Sequence, residues 1–318
     1  MIGLPHIKGR NLIKPGISLP LMSVSKVCFF ASLGAMLASL LLFMFVGLNY
    51  GVDFKGGTMI EVQVKTGTAN IPDIRSKVSG LGLGDVQIQT FGTDKDVLIR
   101  VEQQSGGEKT QQAALSKVLD ALGDDYVRRR VEVVGPAVSS ELRTTGLIAV
   151  LCSILAIILY VWFRFEWQFA VGAVVALTHD VLVTVGVFSI FQLDFDLSTV
   201  AALLTILGYS VNDTVVVSDR IRENLRRFKR MNLDDLLNLS LNETLSRTLM
   251  TSLTTLVVLV ALFVLGGAVI RNFTFAMMFG VIVGTYSSVF IAAPLLSYLG
   301  VKRDWSGLNQ GEGSTAKQ

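Results

Sequence analysis

One carboxylate lies inside a segment that is otherwise apolar. Asp213 is near the end of the run 197–217, which as a helix is long enough to cross the roughly 30 Å hydrocarbon core of a bilayer. An ionisable side chain at that depth costs about 2.5 kcal/mol or more, so it is kept where it has a task such as moving a proton. Asp213 is therefore the first candidate for a functional residue.

A histidine and an aspartate occupy neighbouring positions near the middle of another apolar run, 169–191. Imidazole titrates near neutral pH and a carboxyl group inside a membrane can exchange a proton, so His179 and Asp180 predict a proton relay. Successive residues of a helix point about 100° apart, so we expect that the two side chains do not face one partner together. In the alternative interpretation, at least one of them only completes a polar network between helices.

The same residues have structural explanations. A buried charged group can be one half of a static pair that fixes the register of two helices. Serine and threonine are common in contacts between membrane helices, and each one taken singly is best explained in that way, although together they could line a hydrated path. The hydroxyl-bearing residues concerned are Thr178, Thr184, Thr205, Ser210, Thr214, Thr251, Ser252, Thr254 and Thr255.

Six apolar runs would position these side chains. They are 27–48, 146–163, 169–191, 197–217, 249–268 and 273–299. With 51% hydrophobic and 17% charged residues, the chain is predicted to be a polytopic α-helical membrane protein with six transmembrane helices. The first run is longer than the apolar core of a signal peptide and lacks an Ala-x-Ala site, so we expect a retained anchor.

Lysine and arginine are distributed unevenly between the loops. They precede the first run, separate the second from the third and the fourth from the fifth, and follow the sixth, whereas the two short loops on the other side contain only Arg271. By the positive-inside rule both termini are cytoplasmic. The sequence therefore predicts an N-terminal cytoplasmic segment at 1–26, an outer domain at 49–145, helices 2–6 within 146–299, and a disordered polar tail at 300–318.

The outer segment alternates in the manner of strands and helices. Strand patterns at 58–65, 85–90, 96–101 and 126–134 and helical patterns at 72–80 and 108–122 predict the order β-α-β-β-α-β. This is the order of a small ferredoxin-like α+β sandwich. The segment has no nucleophile–base pair, metal-ligand spacing or phosphate loop, so the sequence predicts neither an enzyme nor a bound metal or cofactor.

Two further segments have more than one interpretation. In 218–246, basic residues are followed by leucines at helical spacing, which predicts an interfacial amphipathic helix on membrane lipids or, alternatively, a contact with a channel. Nucleic-acid binding is not predicted, because aromatic residues are not interleaved with the basic ones. Gly280 and Gly284 form a small-xxx-small pattern that lets another helix approach closely, either from this chain or from another subunit.

Three motifs resemble those of a known family. The stretch 51–58, which contains Gly51, Asp53, Gly56 and Gly57, is similar to the signature that opens the outer domain of SecD and SecF translocase subunits. The stretch 176–181, around His179 and Asp180, and the stretch 208–224, which begins at Gly208 and contains Asn212, resemble membrane motifs of the SecF branch. From its residues alone, 51–58 is best explained as a fixed turn into the first strand.

The resemblance implies a proton-driven member of the resistance-nodulation-division superfamily. It implies an accessory subunit of a bacterial inner membrane, with a periplasmic domain, that works with SecD and the SecYEG channel and uses the proton motive force to help a translocating polypeptide. The family's proton-coupling residues correspond to Asp213 and Arg247. A guanidinium that alternately approaches and leaves a carboxylate would let that carboxylate load and release a proton.

Two other functions stay open from the sequence. A small-molecule or lipid transporter of the same superfamily would use the same helices. A non-transporting scaffold would tolerate neutralisation of Asp213 and Arg247. Because a scaffold has no need of buried charge, the sequence favours transport.

Overall fold

A computed structural model describes residues 18–84, 86–267 and 270–301. The first part of the predicted segment 1–26 and nearly all of the predicted tail 300–318 lie outside these residues. In chain order the elements are α1 (Leu21–Phe45), β1 (Asn49–Tyr50), α2 (Val52–Lys55), β2 (Gly57–Val64), α3 (Ile71–Ser79), β3 (Val86–Phe91), β4 (Thr93–Val101), α4 (Glu108–Leu122), β5 (Tyr126–Val134), α5 (Pro136–Arg164), α6 (Trp167–Phe191), β6 (Asp194–Phe195), α7 (Leu197–Arg227), α8 (Leu233–Leu265), α9 (Arg271–Ser287), a π-helical turn (Ser288–Ala292) and α10 (Ala293–Tyr298).

Within the described residues, six helical segments are long and apolar enough to cross a membrane. They are α1, α5, α6, α7, α8 and the continuous segment formed by α9, the π-helical turn and α10. Each corresponds to one predicted apolar run, so the prediction of a six-helix membrane protein is confirmed. Polar side chains cap the first turns of α7 and α8. Asp196 accepts a hydrogen bond from the Thr199 N–H at the start of α7, and Asn232 accepts one from the Asp234 N–H at the start of α8.

The segment 218–246 differs from the predicted interfacial helix. It consists of the end of α7 and the beginning of α8, joined in a helical hairpin. Leu236, Leu237 and Leu241 are at most 1% exposed, because the leucine stripe packs into the bundle rather than onto lipid. Leucines at helical spacing show that one face of a helix is apolar, but they do not show whether protein or lipid covers it.

The α+β domain between α1 and α5 has the predicted element order. Its four-stranded sheet has the order β3-β4-β2-β5, with every neighbouring pair antiparallel. Helices α3 and α4 pack on one face of this sheet, through Ile74 and Val118 among other side chains. The name ferredoxin-like stays a prediction, which this strand order supports.

The domain contacts the bundle through short, specific links. Strand β1 pairs in parallel with β6, and Gly51 lies so close to β6 that an added Cβ would be 3.2 Å from Cβ of Asp196. The Asp53 carboxylate accepts a hydrogen bond of 2.9 Å from the Leu197 N–H at the start of α7. Arg100 of β4 forms an ion pair with Asp194 of β6. Asp53 therefore does more than shape a turn, because it joins the domain to the helix that carries Asp213.

We expect Gly57→Ala to destabilise the domain. Gly57 has φ +119°, and an added Cβ would be 2.5 Å from the Val101 carbonyl oxygen of the neighbouring strand. Such a strained backbone costs about 1–3 kcal/mol. Hydrogen exchange in the full chain should show faster exchange of β2 and β4 amides. Gly80→Ala is the matched control, because Gly80 has φ −75° and nothing within 4 Å of an added Cβ. Equal protection in both variants would contradict this account.

Candidate functional site

Asp213 is held by hydroxyl groups from two other segments. Its side chain is buried, and Oδ1 accepts a hydrogen bond of 2.6 Å from Thr248 Oγ1 of α8. Oδ2 accepts a hydrogen bond of 2.5 Å from Ser288 Oγ in the π-helical turn. The carboxylate of α7 therefore connects three of the six membrane segments at one point.

Arg247 is not among the hydrogen-bond partners of Asp213. It is exposed on α8, whereas the next residue, Thr248, is buried and donates to the carboxylate. Successive side chains on a helix point about 100° apart, so Thr248 donates to the carboxylate while Arg247 lies on the adjoining, exposed face of α8. Arg247 is thus one residue away from a hydrogen-bond partner of Asp213, but no hydrogen bond or ion pair joins Arg247 to Asp213 itself. Switching between the two residues stays a prediction.

Asp180 is fully buried on α6 and has partners on three helices. Its Oδ1 is 3.0 Å from His179 Nδ1 of the same helix. Its Oδ2 accepts hydrogen bonds of 2.6 Å from Ser210 Oγ of α7 and 2.8 Å from Ser287 Oγ of α9. The predicted pair thus forms a contact within itself, and Asp180 also completes a polar network between helices. A relay role for either residue stays a prediction.

The two carboxylates belong to one group of polar side chains, which we call the inner polar cluster. Its members are His179, Asp180, Ser210, Asp213, Thr248, Ser287 and Ser288. Ser210 and Asp213 are one turn apart on α7, and the two serines of the last segment are consecutive. Within the described residues, no lysine or arginine forms an ion pair with either carboxylate. Hydroxyls and one imidazole therefore satisfy both groups.

Close packing of α9 against α7 brings this cluster together. An added Cβ at Gly280 would be 2.3 Å from Cδ1 of Ile206, and one at Gly284 would be 3.2 Å from Cβ of Ser210. The small-xxx-small pattern therefore serves a helix of the same chain, which decides between the two alternatives left open by the sequence. Ser287 and Ser288 follow Gly284 by three and four residues, so they lie on the same face of the segment.

Thr248, Ser287 and Ser288 are the site residues that sequence reasoning missed. Thr248 adjoins Arg247, and the two serines share the helical face of Gly280 and Gly284, which is the signal that would have found them. By contrast, Gly208 and Asn212 of the family motif lie outside the inner polar cluster on an exposed face of α7. An added Cβ at Gly208 would meet nothing within 4 Å.

Comparison with known protein families gives two matches. The family model described as protein export membrane protein SecD/SecF, C-terminal, matches residues 114–302. The model described as the SecD/SecF GG motif matches residues 42–68, which include Gly56 and Gly57. The first match covers all five later membrane segments, and the second covers the junction with the outer domain.

Curated relatives cover most of the chain. A protein translocase subunit SecF of Cereibacter sphaeroides is 49% identical over 87% of this chain and 88% of its own length. A SecF of Magnetococcus marinus is 51% identical over 85% of this chain and 88% of its own length. A protein translocase subunit SecDF of Brucella abortus is 43% identical over 93% of this chain, which spans only 39% of that longer protein.

Solved structures resemble the whole architecture. The crystal structure of SecDF from Thermus thermophilus, a translocon-associated membrane protein, has a TM-score of 0.81 and 36% identity over 90% of this chain and 39% of its own. The crystal structure of SecDF in a super-membrane-facing form has a TM-score of 0.68 and 35% identity, over 95% of this chain and 41% of its own chain. The chain thus spans about two fifths of the SecDF chains it matches.

Proposed function

The chain belongs to the SecD/SecF family of protein-export membrane proteins, and on that premise we propose that it is an accessory subunit of the Sec export machinery that uses the proton motive force to promote translocation and release of secreted polypeptides. The observation that carries the proton coupling is the inner polar cluster. It places two buried carboxylates, Asp180 and Asp213, in neighbouring hydrogen-bonded groups that share α7 and the last membrane segment, and within the described residues neither carboxylate forms an ion pair with a lysine or arginine. A buried ionisable group in a membrane segment is by default the first hypothesis for a functional site.

The cluster has the properties that proton coupling requires. An ionised carboxylate in a membrane interior is costly, so each exchange of a proton changes the stability of the packed helices around it. Moving one charge across 100 mV supplies about 2.3 kcal/mol, which is enough to bias a conformational equilibrium by more than tenfold. Asp213 is the better candidate for the principal site, because both of its side-chain partners come from other membrane segments, whereas one partner of Asp180 is His179, the preceding residue of its own helix.

Coupling to the outer domain would pass along α7. About 24 Å of continuous helix separates Asp213 from Leu197, whose N–H donates to Asp53 beside the domain. A tilt or shift of α7 on proton exchange would therefore move the point on which the domain rests. The domain would face the periplasm, with both termini in the cytoplasm, as the distribution of basic residues predicts.

We assign a SecD-type subunit as the immediate partner. One face of α7 and α8 is polar yet exposed, and within the described residues its side chains Asn212 and Arg247 have no hydrogen-bonded partner. Polar groups facing lipid are costly, so a second subunit covering this face would stabilise the assembly. Its other members are small or hydroxyl-bearing: Thr205, Gly208 and Thr251. A covering subunit would also desolvate Arg247 beside Asp213, where its charge can act. The SecYEG channel and the emerging polypeptide complete the expected assembly.

The proposal is tested by reconstitution. The chain, a SecD-type partner, the SecYEG channel and an export motor are placed in proteoliposomes, and release of a secreted polypeptide is followed with and without an imposed proton gradient. We expect the gradient to accelerate release only when the chain is present, and an uncoupler to remove the acceleration. Acceleration that is the same without the chain, or that survives the uncoupler, would contradict the proposal.

A further inference from the structure

The last membrane segment contains an irregular turn at the inner polar cluster. Residues Ser288–Ala292 form a π-helical turn between α9 and α10, and Pro294 follows two residues later. Proline lacks an N–H and its ring clashes with the carbonyl four residues earlier, so a wider turn before it relieves the conflict. Such turns are rare and occur often at functional sites. Here the turn begins at one of the two serines that bind the carboxylates.

Each of these serines has two acceptors but one hydroxyl hydrogen. Ser287 Oγ is 2.8 Å from Asp180 Oδ2 and 3.1 Å from the Gly284 carbonyl oxygen. Ser288 Oγ is 2.5 Å from Asp213 Oδ2 and 3.0 Å from the Thr285 carbonyl oxygen. A hydroxyl donates one strong hydrogen bond and rotates to suit its surroundings. The hydrogen of each serine therefore has two alternative positions.

We propose that Ser287 and Ser288 are positioning residues that couple the protonation of Asp180 to that of Asp213 through the π-helical turn. This inference rests on the proposed function and extends it, because it joins the two carboxylates into one unit. The carboxylates lie on different helices, α6 and α7, whereas the serines that bind them are consecutive residues at the junction of α9 and the π-helical turn. A change in how the turn binds one carboxylate changes the geometry that it offers to the other.

The coupling has its physical cause in the strength of the serine hydrogen bonds. A hydroxyl donates more strongly to an ionised carboxylate than to a neutral group, so each serine turns to its aspartate when that aspartate is charged. When the carboxyl group is protonated, the hydroxyl is free to donate to the backbone carbonyl one turn earlier, a bond that bends helices. Proton exchange at either aspartate thereby moves the turn between two shapes.

Few other groups compete with the serines for these carboxylates. His179 and Ser210 face Asp180, and Thr248 faces Asp213. Arg247 adjoins Thr248 on the exposed face of α8, and its charge acts on Asp213 through space without a hydrogen bond. Ser210 donates to Asp180 from three residues before Asp213, so it forms a second, parallel link that the test must leave in place.

The test is a double-mutant cycle read by infrared difference spectroscopy of carboxyl protonation in the full reconstituted chain. The midpoint of the Asp213 titration is measured with and without Asp180→Asn, first with both serines present and then in Ser287→Ala/Ser288→Ala. We expect Asp180→Asn to move the midpoint by about one pH unit when the serines are present, since a lost hydrogen bond to a charged group has that order of effect. In the double-alanine background the shift should fall by half or more. An equal shift in both backgrounds overturns the inference.

Three controls keep the result interpretable. Ser189→Ala removes another fully buried serine, whose hydroxyl donates to the Gly47 carbonyl at 2.7 Å, and should leave the cycle unchanged. Ser287→Thr/Ser288→Thr retains both hydroxyls and should restore the coupling if the alanine variant is folded but uncoupled. Asp213→Asn must remove the titrating signal. If it does not, the proposed function fails; if it does and the serines have no effect, only this inference fails.

Discussion

Asp213→Asn is expected to abolish the part of polypeptide release that depends on the proton gradient. Asparagine is close in shape to aspartate, but its amide does not gain or lose a proton near neutral pH. The variant therefore cannot perform the loading and release of a proton that the proposed cycle requires. At 100 mV the bias removed is about 2.3 kcal/mol, which corresponds to a loss of up to about fifty-fold in rate. Release should fall to the level of wild-type protein without a gradient, and proton conductance of the proteoliposomes should fall with it.

Asp219→Asn is the matched control for that result. Asp219 lies on the same helix, but its side chain is exposed and pairs with Arg164 at 2.9 Å. Exposed ion pairs contribute about 0–1 kcal/mol, so this variant should retain nearly all gradient-dependent release. Wild-type release and conductance in Asp213→Asn would refute the assignment of Asp213. An equal loss in both variants would mean that charge on α7, rather than the buried site, is what matters.

Gly280→Val is expected to prevent correct packing of the bundle. The added Cβ would be 2.3 Å from Cδ1 and 2.9 Å from Cγ2 of Ile206, a side chain that is completely buried. Because both branches of Ile206 lie within 3 Å of the added Cβ, rotation of one branch does not remove the clash, and we expect α9 to move away from α7. Overpacking of this kind costs about 1–3 kcal/mol or more, and the same movement draws Ser287 and Ser288 away from their carboxylates. Size-exclusion chromatography and thermal unfolding in detergent should both show the loss.

A substitution elsewhere separates this effect from valine itself. Gly34→Val on α1 introduces the same side chain where nothing lies within 4 Å of the added Cβ, and it should behave as wild type. Gly280→Val combined with Ile206→Ala should recover much of the lost stability, because the smaller side chain makes room for the added one. If the single Gly280→Val variant is as stable as Gly34→Val, the close contact between α7 and α9 is not a requirement of the fold.

The architecture was largely predictable because the signals for it are local. A bilayer has a set thickness, so apolar length alone identifies the six membrane segments, and the two-residue period of strands identifies the α+β domain. The segment 218–246 was not predictable in the same way. Its apolar stripe is equally compatible with lipid and with protein, and only the packed structure shows that Leu236 and Leu241 are inside the bundle.

The sequence by itself determined that Asp213 and Asp180 are buried in membrane helices, and the family motifs added Arg247. Only the tertiary structure decided what surrounds them. Asp213 binds Thr248 and Ser288, which are 35 and 75 residues away along the chain, and Asp180 binds Ser287, which is 107 residues away. Such partners depend on how each helix is rotated about its axis and on the close approach at Gly280, which no local pattern specifies. A charged residue in an apolar run can be recognised from that run alone, but the groups that bind it come from other segments of the chain.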